Sequence, residues 1–161
     1  TADGTLNDTF INAVATIGEK ITLRRFEIVS KNDDEFFGSY THQGGRIVAL
    51  TVVKGGDAQV AKNMAMQIAS MNPVSVSRND VPKEIVEKEF EIARDKAREE
   101  GKPEAMLDKI AEGRLNKFYK ESCLLEQEFI MDPALTIEKY LKGVDADLTV
   151  TAFKRVNLNV D

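Results

Sequence analysis

The sequence has little of the side-chain chemistry that catalytic and metal sites use. It contains one cysteine, Cys123, and one histidine, His42, among 161 residues. A single cysteine excludes a disulfide within the chain, which fits a reducing cytoplasm. A single histidine excludes a metal site built on two histidines. No nucleophile-elbow motif is present, so we predict no catalytic residue and no metal site, and we interpret Cys123 as a structural free thiol.

Nucleotide-binding and cofactor-binding motifs are missing as well. There is no Gly-x-x-x-x-Gly-Lys-Ser/Thr loop and no Gly-x-Gly-x-x-Gly after a strand. The pairs Gly44-Gly45 and Gly55-Gly56 are too short to hold a phosphate, so we interpret them as turn glycines and expect no cofactor. The acidic run 33–35 could bind a cation, but calcium loops place their ligands around a glycine bend, so a solvated turn is favoured.

The sequence also lacks a basic excess and a long apolar run. Its 22 basic and 27 acidic residues give a net charge of -5, whereas binding to phosphate backbones favours a positive balance. No apolar stretch approaches the roughly 18 to 20 residues that span a bilayer. We therefore expect a cytoplasmic protein with no direct nucleic-acid or membrane partner. The chain begins at Thr1 without Met, and we interpret it as a fragment.

Apolar periodicity predicts an α+β arrangement in the first half. Residues 6–17 have a helical stripe that ends at Gly18, where glycine provides a left-handed cap. Residues 21–29, 36–42 and 46–54 are typical of strands, and the last two are joined by a turn at 43–45. The nearly continuous apolar run 47–53 predicts a central strand covered on both faces. A helix capped by Asp57 follows and ends at Asn72-Pro73.

Residues 81–123 differ in character and predict a helical hairpin. They are rich in charge and break once, at 101–103. Val86, Phe90, Ala93 and Ala97 have the spacing of a coiled-coil seam. Beyond them we expect an irregular or extended segment at 124–131, a short helix at 136–142 and a strand at 148–157.

Strands on both sides of the helical hairpin indicate an insertion. We predict an α+β fold: a small antiparallel sheet packed with helices, with an inserted antiparallel coiled-coil helical hairpin. Residues 1–80 and 124–161 form the core subdomains, and residues 81–123 form the hairpin.

Several segments resemble elongation factor Ts. Residues 17–26 are similar to the family pattern Ile-Gly-Glu-Asn-Ile-x-Ile-Arg-Arg. Residues 38–42, Gly-Ser-Tyr-Thr-His, followed by 45–47, resemble its Gly-Ser-Tyr-x-His hairpin. Residues 61–69 resemble its Ile-Ala-Met helix, and residues 86–89, 101–103 and 110–114 resemble its helical arm. These matches occur in order across roughly residues 13–156.

The resemblance implies a non-enzymatic guanine-nucleotide exchange factor. Its partner is the GTPase elongation factor Tu, from which it promotes the release of GDP. Ile17, Gly18 and His42 match family residues that contact the partner. From the sequence alone, Ile17 and Gly18 also fit a core residue and a helix cap, and His42 also fits a turn histidine without a role.

The chain departs from the family in three places. The amino-terminal helical module, the Thr-Asp-Phe-Val segment and the carboxy-terminal helix are not in the sequence. We therefore expect this fragment alone to exchange nucleotide poorly.

Two other functions remain open from the sequence. One is a structural or oligomerisation module that self-associates through its coiled-coil arm. The other is a small enzyme, which would need a polar pocket around His42 and Cys123.

Overall fold

The structure, a computed structural model, describes residues 4–159. The chain divides into two compact units, Thr1–Ser30 and Lys31–Asp161. Its helices and strands, in chain order, are α1 (Leu6–Ile17), β1 (Glu35–His42), β2 (Ile47–Lys54), α2 (Ala58–Met71), α3 (Lys83–Glu99), α4 (Leu107–Ser122), β3 (Glu128–Phe129), β4 (Asp132–Thr136), α5 (Ile137–Val144) and β5 (Thr149–Asn157). The predicted α+β class is confirmed.

The first unit contains α1 and a segment without helix or strand. The helix begins with a capping box, in which Thr5 and Asp8 satisfy each other's backbone N–H groups, and it ends at Gly18 as predicted. Its residues are half-buried or exposed, and none is fully buried. A groove of about 550 Å³ is lined by Leu6, Asn7, Phe10, Ile21, Thr22 and Leu23.

The strand predicted at residues 21–29 is wrong for this structure. Residues 20–32 contain neither helix nor strand. Leu23, Phe26 and Ile28 are exposed, at 53%, 71% and 85%. Their β-branched and aromatic character favours a strand, but a strand exists only where a neighbouring backbone completes its hydrogen-bond ladder. The backbone groups of α1 bond within the helix, so α1 cannot complete the ladder of a strand at residues 21–29.

The second unit is built on an antiparallel sheet of order β1-β2-β5. In the predicted hairpin, Phe36 faces Val53 and His42 faces Ile47. β5 adds to the other edge of β2, with a register shift between Val52 and Val53. β2 is therefore central, as its apolar run predicts. β3 and β4 form a separate two-stranded sheet.

α2 covers one face of the three-stranded sheet. Asp57 caps it by accepting a hydrogen bond from the N–H of Val60, and Asn72 ends it in the left-handed conformation. Thr51, fully buried in β2, donates from Oγ1 to the carbonyl of Ala61 at 2.7 Å. The core between α2 and the sheet is made mostly of aliphatic side chains: Ile47, Ala49, Val53, Val60, Ala61, Met64, Ala65 and Ile68.

The opposite face of the sheet is only partly covered, so the prediction of burial on both faces of β2 is half wrong. Val52 is 1% exposed, whereas Val48 on the same face is 40% exposed. Phe37 and Val156, from the neighbouring strands, are also exposed. An apolar run predicts that a strand is central in its sheet. It does not predict whether other elements pack on both faces of that sheet.

α3 and α4 form the predicted antiparallel helical hairpin. Ala93 and Ala97 are buried in α3, and Leu107 and Ala111 are buried in α4. Arg114 donates to the carbonyl of Ala93, which ties the two helices together across the seam. Whether the seam has coiled-coil geometry and whether the subdomains end at residues 80 and 124 remain predictions. No helix in residues 4–159 has the length and apolar character needed to cross a membrane.

Candidate functional site

His42 lies at the end of β1, where the hairpin turns. It precedes a short 3-10 turn, Gln43–Gly45, in which all three residues have positive φ values of 51°, 66° and 93°. Glycine adopts positive φ values without steric cost. Gly44 and Gly45 therefore allow the chain to turn directly after His42. A Cβ on either glycine would meet no atom within 4 Å. The turn is thus an open surface next to the imidazole.

Tyr40 supports the ring of His42. Residues two apart on a strand point to the same face, and the two ring centroids are 6.0 Å apart with the planes tilted by 35°. Tyr40 is half-buried and packs against the core cluster, and His42 is half-buried beyond it. The core therefore restrains Tyr40, and Tyr40 in turn restrains the imidazole. The alternation of β1 would have identified Tyr40 as a second residue of this site.

Ile17 and Gly18 lie at the end of α1, in the other unit. Ile17 is the last helical residue and is 58% exposed. Gly18 has φ 74°, and its N–H donates to the carbonyl of Val14 at 2.9 Å. No atom would lie within 4 Å of a Cβ at Gly18. The glycine is therefore needed here for its backbone conformation, and Ile17 presents an apolar side chain at the surface.

The sequence proposed three partner-binding residues, and the structure places them in two units. Ile17 and Gly18 belong to Thr1–Ser30, whereas His42 belongs to Lys31–Asp161. At each place the exposed groups are a side chain and a glycine-containing turn. Such surfaces suit recognition of another molecule by shape and apolar contact.

Cys123 is free and fully buried. Burial raises the pKa of its thiol, and the hydroxyl of Ser75 at 3.6 Å only partly offsets that effect. A thiol is nucleophilic as the thiolate, so this cysteine has the properties of a core residue, as the sequence analysis favoured.

Asp33 and Asp34 lie in a turn, as predicted, whereas Glu35 is the first residue of β1. Asp34 pairs with Lys54 at 3.2 Å. Glu35 is buried, against expectation, and accepts a hydrogen bond from the N–H of Asn32 at 2.7 Å. Among residues 4–159, no three His, Cys, Asp or Glu side chains are grouped so that they could hold a metal ion.

Charged side chains of the helical hairpin mostly pair with one another. Arg98 contacts both Asp95 and Glu104 at 2.8 Å, and Arg114 contacts Glu100 at 2.7 Å. The hydrogen bond from Arg98 lowers the pKa of Glu104. Exposed pairs of this kind contribute little to stability because solvent screens them, so they mainly keep the surface of the helices polar.

A stronger cluster surrounds Arg78, near the base of the helical hairpin. Its guanidinium donates twice to Glu126, both times at 2.7 Å, and its carbon lies 4.7 Å from the centroid of the Tyr119 ring. This hydrogen bonding lowers the pKa of Glu126. A bidentate pair of this kind is geometrically specific, so it fixes Arg78 to Glu126, four residues after the end of α4.

Comparison with known proteins gives a consistent result. The family model described as Elongation factor TS matches residues 1–160. A protein of Limosilactobacillus fermentum named Elongation factor Ts is 52% identical over 92% of this chain and 51% of its own length. Proteins of the same name from Azobacteroides pseudotrichonymphae and Flavobacterium psychrophilum are 48% and 42% identical over 89% and 96% of this chain, and 52% and 56% of their lengths. The chain thus spans about half the length of these relatives.

Proposed function

Because the chain belongs to the elongation factor Ts family, we propose that it binds the GTPase elongation factor Tu and takes part in guanine-nucleotide exchange on it. The family match over residues 1–160 is the observation that carries this proposal. The relatives are about twice as long as the stretch they share with this chain. The exchange activity of this chain alone is therefore also part of the proposal.

The proposed contact residues are Ile17 and Gly18 at the end of α1, in one unit, and His42 at the end of β1, in the other. The exposure of Ile17, at 58%, supports its role as an apolar anchor. The open space around Gly44 and Gly45, directly after His42, supports its role, since a partner can approach the backbone of this turn. Each contact is small, and a few such anchors typically dominate the affinity of an interface.

Exchange follows from linkage and needs no catalytic residue. If the chain binds nucleotide-free elongation factor Tu more tightly than the GDP-bound form, it lowers the GTPase's affinity for GDP by the same factor. The differential binding energy is used to distort the contacts of the partner with GDP and Mg²⁺. On this proposal the chain makes and breaks no covalent bond and acts in the cytoplasm. The division into a core, residues 1–80 and 124–161, and an inserted helical hairpin, residues 81–123, belongs to the same proposal.

Calorimetric titration of the chain into elongation factor Tu tests the binding. We expect the nucleotide-free form to bind more tightly than the GDP-bound form, and excess GDP to compete with the chain. Affinity that is indifferent to GDP would refute exchange. It would favour an oligomerisation module, which sedimentation of the chain alone would reveal as concentration-dependent self-association.

Release of labelled GDP then tests the activity. We expect this chain to accelerate release less than a full-length relative does. Release at the full-length rate would show that the shared half is sufficient for exchange.

A further inference from the structure

Two glutamine side chains are buried where the helical hairpin joins the core. Gln67 in α2 is 0% exposed, and Gln127, after the end of α4, is 1% exposed. A buried amide is costly unless its donors and acceptor all have partners. The pair is distinct from the proposed contact residues.

The amide of Gln127 holds the ends of two helices. Its Nε2 donates to the carbonyl of Glu121 at 2.8 Å and to the carbonyl of Met71 at 3.4 Å. Glu121 lies in the last turn of α4, and Met71 is the last residue of α2. The last four carbonyls of a helix lack a partner within the helix. One side chain therefore satisfies such groups on both helices and ties their ends together.

The amide of Gln67 completes the arrangement. Its Nε2 donates to Oε1 of Gln127 at 3.2 Å and to the carbonyl of Glu128 at 3.0 Å. Its own Oε1 accepts from the N–H of Ile130 at 3.0 Å. Each amide thus donates twice and accepts once. We call Gln67 and Gln127 the glutamine joint.

Backbone contacts bring the two ends of the helical hairpin together at the same place. The N–H of Val74 donates to the carbonyl of Ser122 at 2.8 Å, and the N–H of Leu124 donates to the carbonyl of Ser75 at 2.9 Å. These two neighbouring segments still allow the helical hairpin to move relative to the core. Hinge motions are absorbed by a few residues at the ends of elements, and both ends of the hairpin lie here. The joint restrains this motion, since it fixes the last turn of α4 to α2.

We propose that the glutamine joint positions the helical hairpin and fixes its direction relative to the β1-β2-β5 sheet. The connection runs from the sheet to α2, through the bond of Thr51 to Ala61, and from α2 to α4 through Gln67 and Gln127. A partner that contacts both the hairpin and the sheet meets them at one fixed separation, so the cost of ordering them is met during folding rather than on binding. This inference holds whichever partner the chain binds.

A distance measurement tests the joint in the whole chain. Spin labels on Lys62→Cys, exposed on α2, and Lys102→Cys, exposed between α3 and α4, report the direction of the hairpin by pulsed electron resonance. Native Cys123 is fully buried, and a sample without introduced cysteines measures any stray labelling. We expect one narrow distance distribution. A broad distribution in this parent protein would overturn the proposal without the need for any further variant.

Gln127→Leu removes both donors at nearly constant volume. We expect the distance distribution to broaden or its mean to shift, and the amide of Ile130 to exchange faster with solvent. An unchanged distribution together with a lower melting temperature would show a merely stabilising role and would refute the proposal. If Gln127→Leu does not fold, Gln127→Met keeps the unbranched shape without a charge, and its side chain cannot donate to Glu121 or Met71.

Gln59→Leu is the matched control, because Gln59 is on α2 and its amide bonds to Asn63, at 2.9 Å, on the exposed surface. It should leave the distance unchanged. An equal change in this control would assign the effect to α2 in general and would overturn the role of the joint.

Discussion

Gly38 of β1 lies so close to Ala61 of α2 that a Cβ atom added to the glycine would stand 2.0 Å from the carbonyl carbon of Ala61. The next nearest atoms, the carbonyl oxygen of Ala61 and the amide nitrogen of Lys62, also belong to the backbone. No side chain can rotate away to make room. The glycine therefore sets the distance between the helix and the sheet.

Gly38→Ala should consequently push α2 away from β1. We expect a loss of about 2 to 3 kcal/mol in the free energy of unfolding, typical of overpacking in a close-packed interior. Denaturation in urea measures it. Gly113→Ala is the control, because this glycine is inside α4 with no atom within 4 Å of a Cβ, and alanine there should stabilise the helix by about 0.5 to 1 kcal/mol. Equal effects of the two substitutions would contradict the close contact.

His42→Ala tests the proposed contact at the hairpin. We expect binding to nucleotide-free elongation factor Tu to weaken about tenfold, as for an interface residue of moderate importance. Stability should change by less than about 1 kcal/mol, because only the tilted contact with Tyr40 is lost. Thr41→Ala, exposed on the opposite face of the same strand, should leave the affinity unchanged. Wild-type affinity of His42→Ala in calorimetry would eliminate the histidine from the interface.

Gly18→Ala separates a contact from a conformational effect. Gly18 and Gly101 have nearly the same φ, 74° and 75°, and open space around them. Alanine at either position should cost about 1 to 2 kcal/mol, the usual penalty of the left-handed conformation. We expect Gly18→Ala alone to weaken binding to elongation factor Tu as well. Equal affinities for the two variants would show that the end of α1 does not touch the partner.

Glu126→Gln should show a defined dependence on pH. Arg78 lowers the pKa of Glu126 in the folded chain, so the pair contributes stability above the unfolded pKa of a glutamate, about 4.3. That contribution is lost as the pH falls through the lowered folded value. The variant should be less stable than the parent by about 0.5 to 1 kcal/mol at pH 7, a small effect because the guanidinium is partly exposed. The difference should shrink at pH 3.

Urea denaturation at the two pH values makes the comparison. Glu87→Gln serves as a control, since its contact with Lys83 is longer, at 3.5 Å, and both side chains are mostly exposed, and it should show no measurable difference at either pH. A Glu126→Gln deficit of the same size at pH 7 and pH 3 would mean that the carboxylate charge is not what Arg78 stabilises.

The hairpin carrying His42 could be predicted because its signals are local. The glycines at 44 and 45, and the apolar residues of β2, act over a few neighbouring positions. The cap of α1 at Gly18, the cap of α2 at Asp57 and the end of α2 at Asn72 depend on local signals as well, and all three occur as predicted.

The features that sequence reasoning missed depend on contacts distant in the chain. In the sequence, Gly38 cannot be told from any other glycine within a strand. The packing of α2 on the sheet brings it close to Ala61. Gln67 and Gln127 are polar residues that a burial pattern assigns to the surface, yet they pair with each other across 60 positions. Residues 21–29 show the reverse case, in which β propensity is present but no adjacent strand completes it.

The side-by-side pairing of Ser75 with Cys123 gives the chain a natural graft point. The segment between these residues leaves and rejoins the rest of the chain at one place. The length of this segment therefore does not affect the geometry of the sheet. We expect that the helices could be shortened turn by turn, or exchanged for a foreign helical pair, while the sheet folds unchanged.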